Sequence, residues 1–394
     1  MFKYLLFFTF ISFSLLGDSK IQDAFANGNV DGEIQAFYYN INKKRDSFSH
    51  ATALGGFLKY TTDTNNSFFG TVGFHTSNSI GSSKKPKATL LFNNDKDASS
   101  FSVVSEAFLA YKTSSRVIKI GNLMLNTPMA NDDTTRIVPF SYQAFAYTGN
   151  ITQDTRVELY YINAIRSNTS DSYKKKSASG EIGDSGVSML GLHYSGMEGI
   201  KFHSYYYYAP ELYSTLVLQS DYEYAIDKEM LLCFGVQYFN SGDGGEYANT
   251  TGLYGGDDIN LLALRANVEA DDWHVSLNYS QNFGLSGILR GYGGLAKVYT
   301  SSMIANGRGN YKPETWMLKT SYELPFKSHH SEVALRVTNT KVHDSRGYGF
   351  NAYYLHFKHY FSDEASLFVR YENMNFEKDK IDSDYLRIIA KYEF

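Results

Sequence analysis

Asp384-Tyr385-Leu386-Arg387-Ile388-Ile389-Ala390-Lys391-Tyr392-Glu393-Phe394 ends the chain. Read with a period of two, one face carries Leu386, Ile388, Ala390, Tyr392 and Phe394. The other carries Tyr385, Arg387, Ile389, Lys391 and Glu393. Successive strand residues point to opposite sides, so this is a β-strand with one greasy and one charged face. A tilted strand crosses a bilayer in roughly 9–11 residues, and this segment is long enough.

The same two-faced pattern recurs upstream. Near 365–374, Leu367, Val369 and Tyr371 oppose Ser366, Arg370 and Glu372. Near 353–361, Leu355, Phe357 and Phe361 oppose Tyr354, His356, Lys358 and Tyr360. Near 332–340, Val333, Leu335 and Val337 oppose Glu332, Arg336 and Thr338. Near 315–324, Trp316, Leu318 and Tyr322 oppose Lys319, Ser321 and Glu323. Near 261–269, Leu262, Leu264, Ala266 and Val268 oppose Arg265, Asn267 and Glu269. A Lys or Arg facing lipid at mid-bilayer costs roughly 2–4 kcal/mol, so the charged face is expected to line a lumen. Before about residue 130 the alternation weakens, and Phe68-Phe69 and Val103-Val104 leave the register open.

Connections between these segments alternate in length. Short turns fall at Asp63–Asn66, Thr113–Ser115, Thr152–Thr155, Met197–Gly199, Ile226–Glu229, Asp271–Asp272, Pro325–His330 and Ser362–Glu364. Longer polar connections occupy 78–101, 126–141, 167–186, 241–258, 284–314 and 343–350. A soluble sandwich gives no reason for that alternation; a membrane barrel does. The expected fold is all-β, a transmembrane antiparallel β-barrel of about 18 strands, with short periplasmic turns and long extracellular loops. Trp273 and Trp316 start strands at opposite rims, and Tyr392 and Phe394 join the short-turn rim. These four are the candidate aromatic girdle at headgroup depth.

Residues 1–17 read as an export signal: Lys3, then an apolar run from Leu5 to Leu16, too short to span and stay. Ala24-Phe25-Ala26 offers an alternative cleavage site farther from that run. No linker or composition shift divides residues 18–394, which are read as one barrel domain. The 394 residues hold 33 Tyr and 28 Phe, too aromatic for disorder. A net charge of -4 gives nucleic-acid binding no electrostatic support. Cys233 is the single cysteine, so neither a disulfide framework nor a cysteine metal site is expected. His356 and His359 are three apart on a strand and face opposite ways, so they do not share an ion. Asp243, Asp257 and Asp258 read as solvated loop carboxylates, with no metal assigned. Gly291-Tyr292-Gly293-Gly294-Leu295-Ala296 imitates a dinucleotide fingerprint, but it lacks the strand-to-helix setting and reads as loop flexibility. His193 and His203 have no carboxylate partner evident in the sequence and no serine elbow is present, so the chain is not read as an enzyme. No cofactor is expected.

The stretch Leu125-Asn126-Thr127-Pro128-Met129-Ala130-Asn131-Asp132-Asp133-Thr134-Thr135-Arg136-Ile137-Val138-Pro139-Phe140 resembles the third loop of the OprD family of outer-membrane porins. Asp23 to Tyr38 is similar to that family's mature N-terminus, and a terminal strand ending in Phe resembles bacterial outer-membrane barrels generally. The resemblance covers the chain after its leader. It implies an eighteen-stranded, monomer-sized barrel in the bacterial outer membrane, with loop 126–141 folded inward as a constriction. It also implies a ladder of basic wall residues guiding carboxylate-bearing solutes. Asp132 and Asp133 would then stand across the constriction from Arg265, Arg336, Lys358, Arg370 and Arg387, a transverse field that orients dipolar solutes. Arg136 is expected to anchor the loop. The expected function is a porin passing small hydrophilic solutes and ions passively, with outer-membrane lipid around it. The alternative is a blocked barrel acting as an adhesin or structural protein through its long loops. Monomer and trimer both stay open.

Overall fold

The terminal strand closes the structure. Ser383–Glu393 pairs antiparallel with Asn29–Lys43, from Glu33 opposite Glu393 to Lys43 opposite Ser383. Beyond the ladder, Gly32 N donates to Phe394 O at 2.8 Å and Phe394 N donates to Gly32 O at 2.9 Å. A Cβ on Gly32 would run into the Phe394 ring, so the glycine makes room for the chain's last side chain.

The computed structural model describes residues 19–394 except 45–46, 83–85, 178–179, 182–184, 211, 244–257, 286–287, 290, 303–309, 325–329 and 378–381. The export signal at 1–17 and Asp257 lie outside the described residues, as does the side chain of Asp243. A short helix, α1 (Ser19–Ala26), precedes the strands. These are β1 (Asn29–Lys43), β2 (Ser47–Thr61), β3 (Phe68–Ser82), β4 (Phe101–Lys112), β5 (Arg116–Leu123), β6 (Ser141–Asn150) and β7 (Thr155–Arg166). A small hairpin of β8 (Lys176–Ser177) and β9 (Gly180–Glu181) follows within a connection. Then come β10 (Val187–Met197), β11 (Ile200–Ala209), β12 (Tyr213–Ala225), β13 (Met230–Asp243), β14 (Ile259–Ala270) and β15 (Trp273–Asn282). The series ends with β16 (Pro313–Leu324), β17 (Ser331–Val342), β18 (Phe350–Tyr360), β19 (Ala365–Phe376) and β20 (Ser383–Glu393). Apart from the hairpin, all form one 18-stranded antiparallel sheet, each strand bonded to its chain neighbours and β20 to β1. It is a closed barrel, with no free edge.

The eight short turns of the sequence reading all lie on the rim where the chain also starts and ends. The opposite rim is less uniform than its sequence suggested. Three of its connections are short (44–46, 210–212 and 377–382), and β3 and β13 run on into stretches read as loop.

Alternation holds along the later strands. Leu335, Leu355, Tyr371, Ile388 and Tyr392 are exposed on the outer face, while Arg387, Glu372, Tyr354 and Thr338 are buried inside. The early strands break the rule for a structural reason, because bulges reverse the parity. At β3–β4, Gly73 pairs with Glu106 but Phe74 with Val104, which leaves Ser105 as the extra residue. Val103 therefore points in and Val104 out, while beyond the bulge Ala110 points in and Leu109 out. Similar shifts occur between β2 and β3 and between β6 and β7. A one-residue bulge moves every later side chain to the other face.

Candidate functional site

The connection between β5 and β6, residues 124–140, first folds on itself. Thr127 N donates to Ala130 O at 3.0 Å, Asp132 N to Leu125 O at 2.9 Å and Phe140 N to Asp132 O at 2.7 Å. Its tip then meets inward-facing wall residues. Met129 and Ala130 are fully buried. Met129 N donates to the Tyr207 hydroxyl on β11 at 3.1 Å, and the Tyr142 hydroxyl on β6 donates to Asn131 O at 2.8 Å. Farther on, Ile137 and Val138 pack with Phe37, Tyr39, Ala51 and Ala53 of β1 and β2, and with Leu91 and Phe92 from the β3–β4 connection. Arg136 is buried there: Nε donates to Thr89 O at 3.1 Å and Nη1 to Thr135 O at 2.8 Å. Its guanidinium lies 5.2 Å over the Tyr39 ring.

A second connection, 283–312 between β15 and β16, enters the lumen and clasps the first. Tyr292 N donates to Met129 O at 2.7 Å, Lys297 N to Pro128 O at 2.9 Å and Leu295 N to Asn131 Oδ1 at 3.0 Å. Asn131 Nδ2 returns a bond to Leu295 O at 2.5 Å, and Lys297 Nζ donates to Asn126 Oδ1. Tyr292 is wedged among wall tyrosines, stacked on Tyr207 with centroids 5.2 Å apart and lying 4.8 Å from Tyr213. The glycine-rich run is thus not a flexible stretch, contrary to its sequence reading. Gly294 has φ +71°, and a Cβ there would run into the Asn131 carbonyl; the glycines permit close docking.

The acidic pair sits within this double loop. Burial pushes the Asp132 carboxyl above the usual carboxylate range, against the opposing pull of Lys297. Asp133 takes a left-handed backbone, φ 46°, and its Oδ1 accepts from Thr135 N at 3.3 Å.

The expected wall cations divide into two kinds. Arg265 is ion-paired: Nη2 lies 2.6 Å from Asp221 Oδ1, which also accepts from the Tyr299 hydroxyl at 2.7 Å. Arg336, Arg370 and Arg387 instead form a belt with Lys319. Each lies five or six residues from the short-turn end of its strand, hence at about mid-height. Across the ladder Lys319 pairs with Arg336, and Arg370 with Arg387. Tyr354 separates Arg336 (5.1 Å to the ring) from Arg370 (5.3 Å). Tyr39 likewise separates Arg387, at 4.4 Å, from Arg136. Like charges directly opposite destabilise a strand pair, and the stacked rings offset part of that cost. Arg387 is 1% exposed and donates from Nη2 to the Tyr39 hydroxyl at 3.0 Å. Its Nη1 has no partner among the described residues. Lys358 lies nearer the short-turn rim, donating to the Tyr360 hydroxyl.

A family model described as outer membrane porin, OprD family, matches residues 27–328. The chain belongs to the OprD family of outer-membrane porins. Solved structures agree in fold with this OprD-family porin. Acinetobacter baumannii OccAB2 superposes with a TM-score of 0.81 at 15% identity, over 94% of this chain and 99% of that one. Pseudomonas aeruginosa OccK9 (OpdG) matches at TM-score 0.81 and 14% identity, over 94% and 99%. Pseudomonas aeruginosa OpdK, solved with vanillate, matches at 0.79 and 15%, over 94% and 99%. No curated protein matches the chain. The outward face of this porin therefore meets outer-membrane lipid, its short turns are periplasmic and its longer connections extracellular. Trp273 and Trp316 both face outward, 52% and 48% exposed. Trp273 stands opposite Tyr322 near the periplasmic end and Trp316 opposite Tyr279 towards the extracellular end.

Several contributors escaped the sequence reading. The docking residues Tyr142, Tyr207, Tyr213 and Tyr292 carry no sequence signal that sets them apart from the chain's other 29 tyrosines. Arg166, fully buried, ties Pro139 O (2.9 Å) and Ser141 Oγ (3.0 Å) to the next connection. His193 and His203 do have a carboxylate nearby: Glu158 Oε1 lies 3.2 Å from His193 Nε2, and the two Nδ1 atoms are 2.7 Å apart. Glu158 is on β7, more than thirty residues away in sequence, so spacing gave no hint of it. Among the described residues no group of three His, Cys, Asp or Glu could hold a metal ion.

Proposed function

We propose that this porin passes small hydrophilic solutes by diffusion along the β15–β20 side of its lumen and favours those bearing a carboxylate. The observation that carries this reading is the mid-height belt Lys319–Arg336–Arg370–Arg387, on a stretch of wall outside the apolar cluster that holds the two loops. Lys319, Arg336 and Arg370 are part-exposed, so a carboxylate oxygen can accept from them, and the buried Arg387 adds positive charge. OpdK, solved with vanillate, shows that a similar channel holds a carboxylate; amino acids present the same group. The double loop is the constriction, with Asp132, Asp133 and Arg136 on it, and Trp273, Trp316, Tyr392 and Phe394 are girdle residues at headgroup depth. Residues 1–17 are the export signal, and no catalytic step is assigned. The adhesin alternative draws no support: the family is one of porins, and the 124–140 and 283–312 connections turn into the lumen.

The test is purified protein in planar bilayers and vesicles. Stepwise conductance is expected, with amino-acid carboxylates entering vesicles faster than matched neutral solutes. Neutralising Arg336→Gln, Arg370→Gln and Arg387→Gln together should slow carboxylate entry about tenfold or more, since a hydrogen bond to a charged group is worth ~1.5–3 kcal/mol. A folded barrel that conducts nothing refutes the porin pathway. Carboxylate entry unchanged in the triple variant refutes the belt.

A further inference from the structure

The helix α1 lies outside the wall, not within it. Its C-terminal end rests on Tyr60: the rings of Phe25 and Tyr60 stack with centroids 6.5 Å apart, and the Tyr60 hydroxyl donates to Phe25 O. Tyr60 is on the outward face of β2, its ladder partners being Val30 and Val72, both outward and exposed. Asp63 N, in the β2–β3 turn, donates to Ala24 O at 2.9 Å, which holds the helix at the periplasmic rim. On the helix, Ile21 and Phe25 are four residues apart and share a face. They stay 45% and 62% exposed, while Asp23 falls on the opposite side. On the same rim, Tyr392 and Phe394 beside β1 are also outward and exposed.

We propose that α1 is an interfacial foot, lying in the periplasmic leaflet of the outer membrane with Ile21 and Phe25 in the acyl boundary and Asp23 towards water. The occupant of this apolar face is lipid, because the face joins, through Phe25 on Tyr60, the lipid-facing band that holds Val30 and Val72. Eight residues at 1.5 Å each reach about 12 Å, enough to lie along an interface and too little to cross it. The foot fastens the free end of β1, the strand that β20 must find to close the barrel. This inference rests on cleavage near residue 17, since cleavage after Ala26 would remove the helix.

The experiment uses the mature full-length porin in phospholipid vesicles, with Cys233→Ser so that one introduced cysteine carries a spin label. Ile21→Cys, Phe25→Cys and Asp23→Cys are compared, each checked as a folded, conducting barrel. Labels at 21 and 25 should collide with oxygen severalfold more than with a water-soluble nickel chelate, and the label at 23 should show the reverse. Equal exposure of all three to the chelate overturns the foot while conductance leaves the porin reading intact. A mature N-terminus at Asn27 overturns it too.

Discussion

The two sides of the lumen wall are built to different rules. From β5 to β14 the inward residues are largely Tyr, Ala, Met, Leu and Val, and they form one buried cluster with Met129, Ala130, Leu289, Tyr292 and Val298 of the two loops. From β15 to β20 the inward residues are largely Ser, Asn, Thr, Lys, Arg and Glu, with a small apolar group at Phe350, Ala352, Tyr354 and Met374. Loops touch this second side through polar contacts, where the Tyr354 hydroxyl donates to Ser302 and the Ser280 and Thr300 hydroxyls share a hydrogen bond. A loop that enters a wet lumen needs apolar surface to offset its ordering entropy. The first side supplies it to Met129, Ala130 and Tyr292, and β1 with β2 supplies it to Ile137 and Val138; the proposed solute path lies along the polar side. Charge follows the same division: Arg265, on the covered side, is neutralised by Asp221, while Arg336, Arg370 and Arg387 stand together.

The strongest way to break this division is to undock the loops. Gly294→Val places a branched side chain at positive φ, costing about 1–2 kcal/mol before any clash with Asn131. Single-channel conductance should rise severalfold, while the barrel still runs as a folded species on an unheated gel. Conductance equal to wild type would mean that the clasp does not narrow the pore.

A smaller effect is expected from the loop carboxylates. Asp132→Asn with Asp133→Asn should move the reversal potential in a salt gradient towards anions. Burial raises the Asp132 pKa, with Lys297, Asp133 and Glu106 as its charged neighbours. A raised pKa means that its negative charge is lost at a higher pH than for an ordinary Asp. Wild-type selectivity should thus also drift towards anions as pH falls, starting at a higher pH than an ordinary Asp would give, and the double variant should drift less. Identical pH profiles would remove Asp132 from the ion path.

The smallest effect belongs to the covered side's own pair. Arg265→Gln together with Asp221→Asn removes one charge of each sign, 2.6 Å apart, and should leave the reversal potential unchanged within error. A clear shift would show that ions pass along the covered side and would blur the contrast between the two.

Period-two alternation and turn chemistry are local, so β14 and β16–β20, the periplasmic turns and the outward aromatics were legible residue by residue. The early strands were less so, because a bulge such as that at Ser105 leaves no mark in a local pattern and reverses every side chain beyond it. The site was half legible. The inward facing of Arg336, Arg370 and Arg387 was legible from alternation and the inward loop from its resemblance to the family's third loop, but nothing near Arg265 announces Asp221, forty-four residues away. The glycines at 291–294 were read as slack for want of a partner to dock on.

What the sequence determined by itself is the strand count, the lipid and lumen faces and the rim on which the chain begins and ends, since each follows from neighbours along one strand. Only the tertiary structure decided that two loops clasp inside the barrel, which walls they lie on and that Asp221 pairs with Arg265. Those outcomes turn on contacts such as Asn131 with Leu295, 164 residues apart, which exist only once the barrel has closed and brought two rim connections into one lumen.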